Sequence, residues 1–289
     1  MRLWATGNNL LSKNCHPEQS EGTKKILFFL LALHQIHQLM LSKSKIKIIT
    51  SLAYKKYRDE SGLFVAEGAK LISDLSTAFH CEWLFYTPQW ENEVQQLQAD
   101  EKIAVEEKEL HKISAQKSPP GMLAVFRKKT PVKITATALS GQLSLALDDV
   151  QDPGNLGTII RIADWFGIKH IFCSTATADA FNSKTVQATM GALSRVELHY
   201  VNLPQFLSEM KDIPVYGTFL DGTDLYTTDL SPNGIIVMGN EGNGISPEIA
   251  QMVTNKLMIP NYPKDAPTSE SLNVAVATAI VCGEFRRRM

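Results

Sequence analysis

Six short apolar runs, separated by helical stretches, occupy the sequence between residues 143 and 260. Strands that alternate with helices form parallel sheets, because each crossover helix returns the chain to the same edge. A strand that is buried on both faces is apolar at successive positions. We therefore predict an α/β fold with a parallel sheet covered on both faces. The predicted strands are Leu143–Leu147, Ile168–Ser174, Val196–Val201, Val215–Leu220, Gly234–Gly239 and Lys256–Pro260.

The chain divides into segments that differ in composition and periodicity. With 289 residues and a formal net charge of -1, it has room for two domains and no overall charge that would favour nucleic acid. Short strands and helices alternate through residues 40–130, which we predict to form a small α/β domain. A polar, Thr/Ala-rich stretch at 131–142 is typical of a linker, and residues 143–289 form the larger domain.

Residues 1–39 match neither domain. Two lysines precede the apolar run Ile26–Leu33, which is far too short to span a bilayer. We predict that translation starts at Met40 and that residues 1–39 precede the true start. An appended surface helix and a signal peptide without its cleavage site are the alternatives.

The cysteines give no sign of a metal site or of disulfides. Cys15, Cys81, Cys173 and Cys282 are scattered without the paired spacing of zinc ligands. Buried free thiols are typical of a reducing compartment. We therefore predict a cytoplasmic protein with no membrane segment and no metal.

The loop Asp148–Arg161 follows a predicted strand and opens a helix. We predict Asn155 as the N-cap of this helix, because its side chain can accept from the free N–H groups of the first turn. Arg161 falls off the apolar stripe of the helix, so a plain surface arginine and a functional one are both open.

The loop Val237–Pro247 is rich in glycine and holds Glu241. Glycines directly after a strand let a ligand approach the backbone closely, although tight turns need glycine as well. The spacing is neither that of a dinucleotide-binding loop nor that of a P-loop. Glu241 inside such a loop is the more unusual feature.

The tripeptide Ser271-Leu272-Asn273 opens an apolar helix near the C-terminus, which ends in Glu284, Phe285 and three arginines. The arginines either suit the negative end of a helix or contact RNA. All three loops follow strands that we predict to be parallel. Since ligands of open α/β sheets bind at the carboxyl ends of strands, we predict that the three loops form one ligand site.

A basic stretch begins the small domain. Ile46, Ile49 and Leu52 mark the apolar stripe of a helix, and the basic side chains line its other face. This face is either simply solvated or contacts phosphates through its charges. The candidate RNA-binding residues are Lys43, Lys45, Lys55, Lys56 and Arg58.

Three motifs resemble, in order and spacing, those of the SpoU (TrmH-type) RNA 2′-O-ribose methyltransferases of the SPOUT superfamily. The resemblance is strong over residues 143–289, and residues 40–130 resemble more loosely an L30e-like substrate-binding domain. The segment between Ile259 and Ser271 departs from the pattern, being longer than a compact turn and rich in proline. The motif stretches are Asn155–Gly167, Ile236–Gly242 with Gly244-Ile245, and Ile259-Pro260 with Ser271–Ala277.

The resemblance implies a deep C-terminal trefoil knot, a homodimer with the active site near the subunit interface, and S-adenosylmethionine as cofactor. It also implies methylation of a ribose 2′-hydroxyl in tRNA or rRNA. The implied catalytic residues are Asn155, Arg161, Glu241, Ser271 and Asn273. The implied cofactor-binding residues are Leu220, Met238, Gly239, Asn240, Gly242, Ile259, Ser271 and Leu272.

Two other functions stay open. A nicotinamide-dependent dehydrogenase would use the α/β pattern and the glycine loop, but the chain lacks the dinucleotide fingerprint. A non-catalytic RNA-binding module would use only the basic face, and the presence of Asn155, Arg161 and Glu241 argues against it.

Overall fold

A computed structural model of the chain describes residues 41–130, 132, 134–263, 267, 269 and 271–288. Our predictions for residues 1–39 lie outside the described residues. Two sheets are formed in the part of the chain that the structure describes. Residues Leu41–Met289 cluster into one unit, so the predicted domain boundaries at 130 and 143 remain predictions.

The first sheet has the strand order β1-β4-β2-β3. Strand β4 runs antiparallel to β1 and β2, whereas β2 and β3 are parallel. The predicted alternation of strands and helices is confirmed here. The elements are α1 (Lys43–Ser51), α2 (Lys55–Ser61), β1 (Leu63–Glu67), α3 (Ala69–Ser76), β2 (Cys81–Tyr86), α4 (Glu91–Gln95), β3 (Glu101–Ala104), α5 (Glu107–Ile113) and β4 (Met122–Arg127).

The basic stretch forms two helices, α1 and α2, with a break after Leu52. Ile49 and Leu52 are buried, which confirms the predicted apolar stripe. The prediction that Arg58 binds RNA is wrong, since Arg58 is only 2% exposed. Its guanidinium donates to Asp179 Oδ2 at 2.6 and 2.9 Å and to the carbonyls of Leu52 and Ala53. Helical periodicity places Arg58 opposite the apolar stripe but cannot reveal that another part of the chain covers that side.

The second sheet has the strand order β10-β8-β9-β5-β6-β7, and its neighbours pair in parallel. This confirms the predicted parallel sheet. The elements are α6 (Ala136–Leu139), β5 (Leu143–Leu147), α7 (Pro153–Trp165), β6 (His170–Cys173), α8 (Ser183–Ala188), β7 (Glu197–Tyr200), α9 (Leu203–Glu209), β8 (Val215–Asp224), β9 (Gly234–Met238), α10 (Pro247–Ala250), β10 (Asn255–Met258) and α11 (Val274–Arg287).

The two central strands, β5 and β9, are buried at every position. Helices cover both faces, and alternate side chains of β5 enter different cores. Leu145 and Leu147 pack with the α7 residues Ile159 and Ile160, while Ala146 packs with the residues of α9 and α10. Burial on both sides explains why these strands are apolar throughout rather than alternating.

The C-terminal arginines all contact protein groups. Arg286 Nε donates to the Phe166 carbonyl at 2.7 Å, and Arg288 donates to the carbonyls of Leu225, Tyr226 and Thr228. Arg287 and Arg288 pair with Glu284, and these hydrogen bonds, that of Arg287 first, lower the pKa of Glu284 to about 2. These contacts favour a structural role for the arginines over RNA contact.

Cys81, Cys173 and Cys282 are free and buried. Burial raises the pKa of Cys81 and of Cys282 to about 12, so both thiols are protonated at neutral pH. This confirms, for the cysteines that the structure describes, the prediction of buried free thiols. Within the same described residues, no helix is both long and apolar enough to cross a bilayer.

Candidate active site

The loops after β5 and β9 are bound to each other at the carboxyl edge of the parallel sheet. These strands are neighbours, with Leu147 paired to Met238 at their ends. Asn240 Nδ2 donates to the Asp149 carbonyl at 2.7 Å, and the Ser246 N–H donates to Asp148 Oδ2 at 2.7 Å. Asp148 is 7% exposed, so its carboxylate serves as an internal acceptor rather than as a solvated charge.

Helix α7 begins at Pro153, two residues before Asn155, and its N-cap is Asp152. Asp152 Oδ1 accepts from the Asn155 N–H at 2.8 Å, and Pro153 occupies the first turn. The N–H of Asn155 is the largest cause that lowers the pKa of Asp152. Our prediction of Asn155 as the N-cap is therefore wrong. The Asp-Pro pair was the signal for this start, because proline is favoured at the first helical position.

Asn155 is consequently free to join the three loops. Its Nδ2 donates to Glu241 Oε1 at 3.0 Å, and its Oδ1 accepts from Asn273 Nδ2 at 2.9 Å. Asn273 is the N-cap of α11, and its Oδ1 accepts from the N–H groups of Ala275 and Val276 at 3.0 and 3.3 Å. Hydrogen bonds among three side chains therefore connect the three loops, as we predicted. We call these side chains, Glu241, Asn155 and Asn273, the Asn–Glu–Asn network.

Glu241 sits over the N-terminus of α7 as an ionised acceptor. The N–H groups of Gln151 and Asp152 point to its two oxygens at 3.4 Å each. Burial raises the pKa of Glu241, but the hydrogen bonds from Asn155 and from the backbone outweigh burial, and the net pKa lies below the ordinary value. Glu241 therefore orients the donors of the first loop, and Arg161 is not among its hydrogen-bond partners.

The loop after β9 closes on its own backbone. Asn240 and Gly244 exchange two backbone hydrogen bonds, at 2.9 and 3.0 Å, and Asn240 Oδ1 accepts from the N–H groups of Gly242 and Asn243. A Cβ at Gly239 would lie 2.2 Å from the carbonyl carbon of Gly244. Glycine at 239 is thus required by the loop itself, as is the amide of Asn240.

Met238, which we predicted to bind the cofactor, lies in the hydrophobic core. It is 1% exposed, its side chain belongs to the core under α7, and its carbonyl accepts from the Asp148 N–H at 2.9 Å. The thioether of Met238 is buried and its backbone carbonyl already accepts a hydrogen bond, so neither group is available to a ligand. The assignment rested on position in the motif, which does not distinguish the buried end of a strand from the loop after it.

Arg161 lies on α7, six residues beyond Asn155, with an exposed side chain. It has no hydrogen-bond or ion-pair partner among the described residues, so the structure does not bring it into the Asn–Glu–Asn network. Trp165, one turn further on the same helix, is 85% exposed. Arg161 and Trp165 therefore share an outer face of α7, because residues four apart are neighbours on a helix. Ser271 is also exposed, two residues before the α11 cap.

Apolar side chains remain exposed around the ends of β8 and α11. Leu220 is 79% exposed on β8, and Leu272 is 49% exposed beside the α11 cap. Ile259, directly after β10, is half-buried. Exposed leucines beside carboxyl ends of parallel strands fit a ligand with an apolar, planar part such as a purine ring. These three and Ser271 are the predicted cofactor residues whose side chains are still available.

The lysines of the basic face differ in their surroundings. Lys43, Lys55 and Lys56 are exposed, and Lys56 Nζ lies 3.8 Å from Glu60. Lys45 is partly buried, and its Nζ contacts Glu101 at 2.5 Å and lies over the Trp83 ring. Lys45 is therefore committed to protein groups, while the RNA-binding role of the other three remains a prediction.

Asp148, Asp149 and Asp152 shape the site but were absent from the predicted residues. Asp149 has a φ of 62°, a conformation that aspartate tolerates better than most residues. Its N–H donates to Ser174 Oγ at 3.0 Å. Three acidic residues within five positions after a buried strand were a usable signal for loop-capping side chains.

Two family models match the chain. The SpoU rRNA Methylase family matches residues 142–283, and the MRM3-like substrate binding domain matches residues 43–124. The chain is 36% identical over 173 residues to the 23S rRNA (guanosine(2553)-2′-O)-methyltransferase RlmP of Bacillus subtilis, covering 56% of this chain and 68% of that protein.

Two solved structures are similar over nearly all of their length. A protein assigned to the RNA methyltransferases of the TrmH family from Porphyromonas gingivalis is 42% identical, with a TM-score of 0.79 over 86% of this chain and 100% of that one. The AdoMet-bound rRNA methyltransferase from Sinorhizobium meliloti is 32% identical, with a TM-score of 0.76 over 87% and 97% of the two chains. The chain belongs to the SpoU rRNA methylase family.

Proposed function

We propose that the chain is an S-adenosylmethionine-dependent methyltransferase that methylates a ribose 2′-hydroxyl of rRNA or tRNA. The observation that carries the proposal is the Asn–Glu–Asn network, which binds the three family motifs into one site. Relatives named as rRNA 2′-O-methyltransferases support the reaction class. The family membership removes the dehydrogenase alternative. The match of residues 43–124 to a substrate-binding domain supports RNA binding by residues 40–130.

The cofactor site lies beside the exposed apolar side chains at the carboxyl edge. Leu220, Ile259 and Leu272 would hold the adenine ring, and Ser271 and Gly242 would offer polar groups to the rest of the cofactor. When bound, S-adenosylmethionine supplies a methyl group that the positive charge on sulfur already activates. The AdoMet-bound relative, which is 32% identical, supports this assignment.

What the protein itself must supply is positioning of the 2′-hydroxyl and stabilisation of the oxygen as its proton leaves. Arg161 is suited to this role because its guanidinium is exposed and has no partner among the described residues. A guanidinium is effectively always protonated, so it cannot act as an unaided base. Arg161 instead grips a neighbouring phosphate or the developing alkoxide, and the proton leaves to phosphate or water.

The chain acts as a homodimer with the active site near the subunit interface. Trp165 on α7 and Val276 on α11 are 85% and 51% exposed, and the two helices pack against each other. Large exposed apolar side chains on paired helices are typical of a buried interface. Arg161 lies on the same outer face of α7 as Trp165. Dimerisation would therefore place its guanidinium at the subunit interface, near an active site. Sedimentation velocity on the whole chain tests the dimer, and a monomer at micromolar concentration would refute it.

The C-terminal region forms a deep trefoil knot. Strand β10 lies at the edge of the sheet, yet α11 returns to pack on α7 beside β5. This return of α11 from the edge of the sheet towards its centre supports a knot. A cytoplasmic location is supported by the buried free thiols Cys81, Cys173 and Cys282, since such thiols persist in reducing compartments.

The function is tested by incubating the purified chain with S-adenosylmethionine and separated rRNA and tRNA pools. We expect methyl transfer to one pool and a 2′-O-methyl group at the mapped nucleotide. Isothermal titration should also detect cofactor binding in the absence of RNA. Cofactor binding without transfer to any pool would favour the non-catalytic RNA-binding alternative.

Arg161→Lys tests the role of the guanidinium. Lysine keeps the charge but loses the planar pair of donors, so RNA binding should persist while turnover falls by about two orders of magnitude. Single-turnover methyl transfer and RNA filter binding measure the two effects separately. Lys169→Met, at an exposed lysine beyond the end of the same helix, is the control and should leave both unchanged. Near-normal turnover of Arg161→Lys would rule out bidentate contact.

A further inference from the structure

Three metal-ligating side chains meet at the opposite edge of the six-stranded sheet, where its strands begin. His170 is the first residue of β6, and Glu197 and His199 are the first and third residues of β7. The parallel register pairs His170 with Glu197 and Phe172 with His199. Because alternate residues of a strand share a face, all three side chains lie on one face of the sheet.

The ligand atoms are spaced as they would be around a metal ion. His170 Nδ1 and His199 Nε2 are 3.2 Å apart, and Glu197 Oε2 lies 3.7 Å from the first and 3.9 Å from the second. A point about 2.1 Å from all three atoms exists at the centre of this triangle, which matches zinc–nitrogen and zinc–oxygen distances. No rearrangement of the strands is needed to bring the atoms together.

Only one of the three distances, that between the two histidine nitrogens, is short enough for a hydrogen bond. One proton can join the two histidine nitrogens, but the carboxylate oxygen is too far from both for a hydrogen bond. Among the described residues, Glu197 has no side-chain hydrogen-bond partner. Three possible ligand atoms therefore surround one point at the distance that a bound metal ion would have from each of them.

The surroundings hold the His199 ring in place and leave the site open on one side. The His199 ring stacks on Phe172 with centroids 5.1 Å apart, under the apolar core that includes Phe206. The histidine side chains are 14% and 9% exposed and that of Glu197 is 54% exposed, which leaves one side open for entry of an ion and for a bound water.

We propose that His170, Glu197 and His199 bind a divalent transition-metal cation, of which zinc best suits two imidazoles and one carboxylate. The cation ties the edge strand β7 to β6, its only neighbour among the described strands. The site is structural, because the Asn–Glu–Asn network lies at the other edge of the sheet. Sequence spacing gave no hint of it, since the two histidines are 29 positions apart on separate strands. It replaces our expectation that the protein has no metal, and it does not depend on the proposed methyl transfer.

The test is zinc binding by the full-length, tag-free chain after treatment with a chelator. Titration calorimetry with zinc chloride should give one ion per chain at this site, and zinc should raise the melting temperature. Glu197→Gln, at an exposed position, should weaken zinc binding at least about tenfold and reduce the rise in melting temperature at the same zinc concentration. His199→Gln should do the same.

The matched control is His80→Gln, which removes an exposed histidine that lies directly before β2 and contacts Asp100, directly before β3, at 2.8 Å. Its zinc affinity should equal that of the unaltered chain. If the His199→Gln variant does not fold, the Glu197→Gln variant alone tests the proposal. The Glu197 side chain is about half exposed, so its replacement should leave the fold intact. An unaltered chain that takes up no zinc, or a Glu197→Gln chain that binds zinc as tightly as the unaltered one, would overturn the proposal.

Discussion

The Asn155 side chain completes a relay of hydrogen bonds that runs in one direction. The first N–H groups of α11 donate to Asn273 Oδ1, so Asn273 must offer its Nδ2 to Asn155 Oδ1. Asn155 then has only its Nδ2 left for Glu241. The positive end of α11 is thereby connected to the carboxylate, because each amide is polarised in the same sense. An asparagine suits this position since it carries one donor and one acceptor on the same group.

We predict that Asn155→Ala reduces kcat/KM for methyl transfer by about tenfold to a hundredfold, since hydrogen bonds to charged groups are worth about 1.5–3 kcal/mol. The pKa of Glu241 should rise, because Asn155 provides the largest of the contacts that lower it. Any loss of activity at acid pH should therefore move to higher pH. Thr158→Ala, an exposed change one turn later in α7, is the control. An Asn155→Ala variant with the activity and pH profile of the unaltered enzyme would contradict the proposed role of these hydrogen bonds.

The same pKa shift has a consequence for stability. The pKa of Glu241 is lower in the folded chain than its ordinary value, so the carboxylate stabilises the fold above that ordinary value. This contribution is lost as the pH falls through the folded pKa. Glu284 behaves in the same way with a folded pKa of about 2, and its contribution is lost between its ordinary pKa and that value.

At the scale of the elements, the shape of the loop after β9 depends on a glycine, Gly239, which has no side chain. Gly239 leaves the buried end of β9, and the backbone of Gly244 and Ile245 folds directly over its Cα. The hydrogen bonds between Asn240 and Gly244 hold this approach. The position of Glu241 over α7 therefore depends on a close backbone contact and not only on its own hydrogen bonds.

We expect Gly239→Ala to destabilise the fold by about 2–3 kcal/mol, because its Cβ would strike backbone that no rotamer change can move. Gly242→Ala is the matched control in the same loop. Its Cβ would meet only Asn240 Oδ1, at 3.6 Å, and should change stability by less than about 0.5 kcal/mol. Urea unfolding of both variants makes the comparison. Equal midpoints for the two would show that the loop tolerates opening at Gly239.

Across the whole molecule, the two sheets are joined by buried contacts rather than by the connecting segment alone. Phe181, in the loop before α8, packs against Phe64 of β1 with ring centroids 4.8 Å apart. Arg58 pairs with Asp179 two residues earlier in that loop, and both side chains are nearly buried. A buried charge that loses its partner is costly, whereas an exposed ion pair contributes little.

Arg58→Ala should therefore destabilise the chain by about 3–5 kcal/mol, since it leaves the nearly buried carboxylate of Asp179 without a positive charge beside it. Lys56→Ala, two residues away, removes an exposed lysine and should cost less than about 0.5 kcal/mol. Adding Asp179→Ala to Arg58→Ala should recover part of the loss. The free energy of urea unfolding reports all three. A loss for Arg58→Ala as small as that for Lys56→Ala would argue against joined sheets.

The sequence by itself determined the strands, most helices and the edge at which the three loops meet. Those properties follow from short-range periodicity and from the rule that parallel strands end on the same side. Only the tertiary structure decided which polar side chains bridge the loops, that Arg58 is buried, and that His170, Glu197 and His199 converge. Asn155 lies 86 positions from Glu241 and 118 from Asn273. Contacts over such separations depend on strand order and register, which no local pattern encodes.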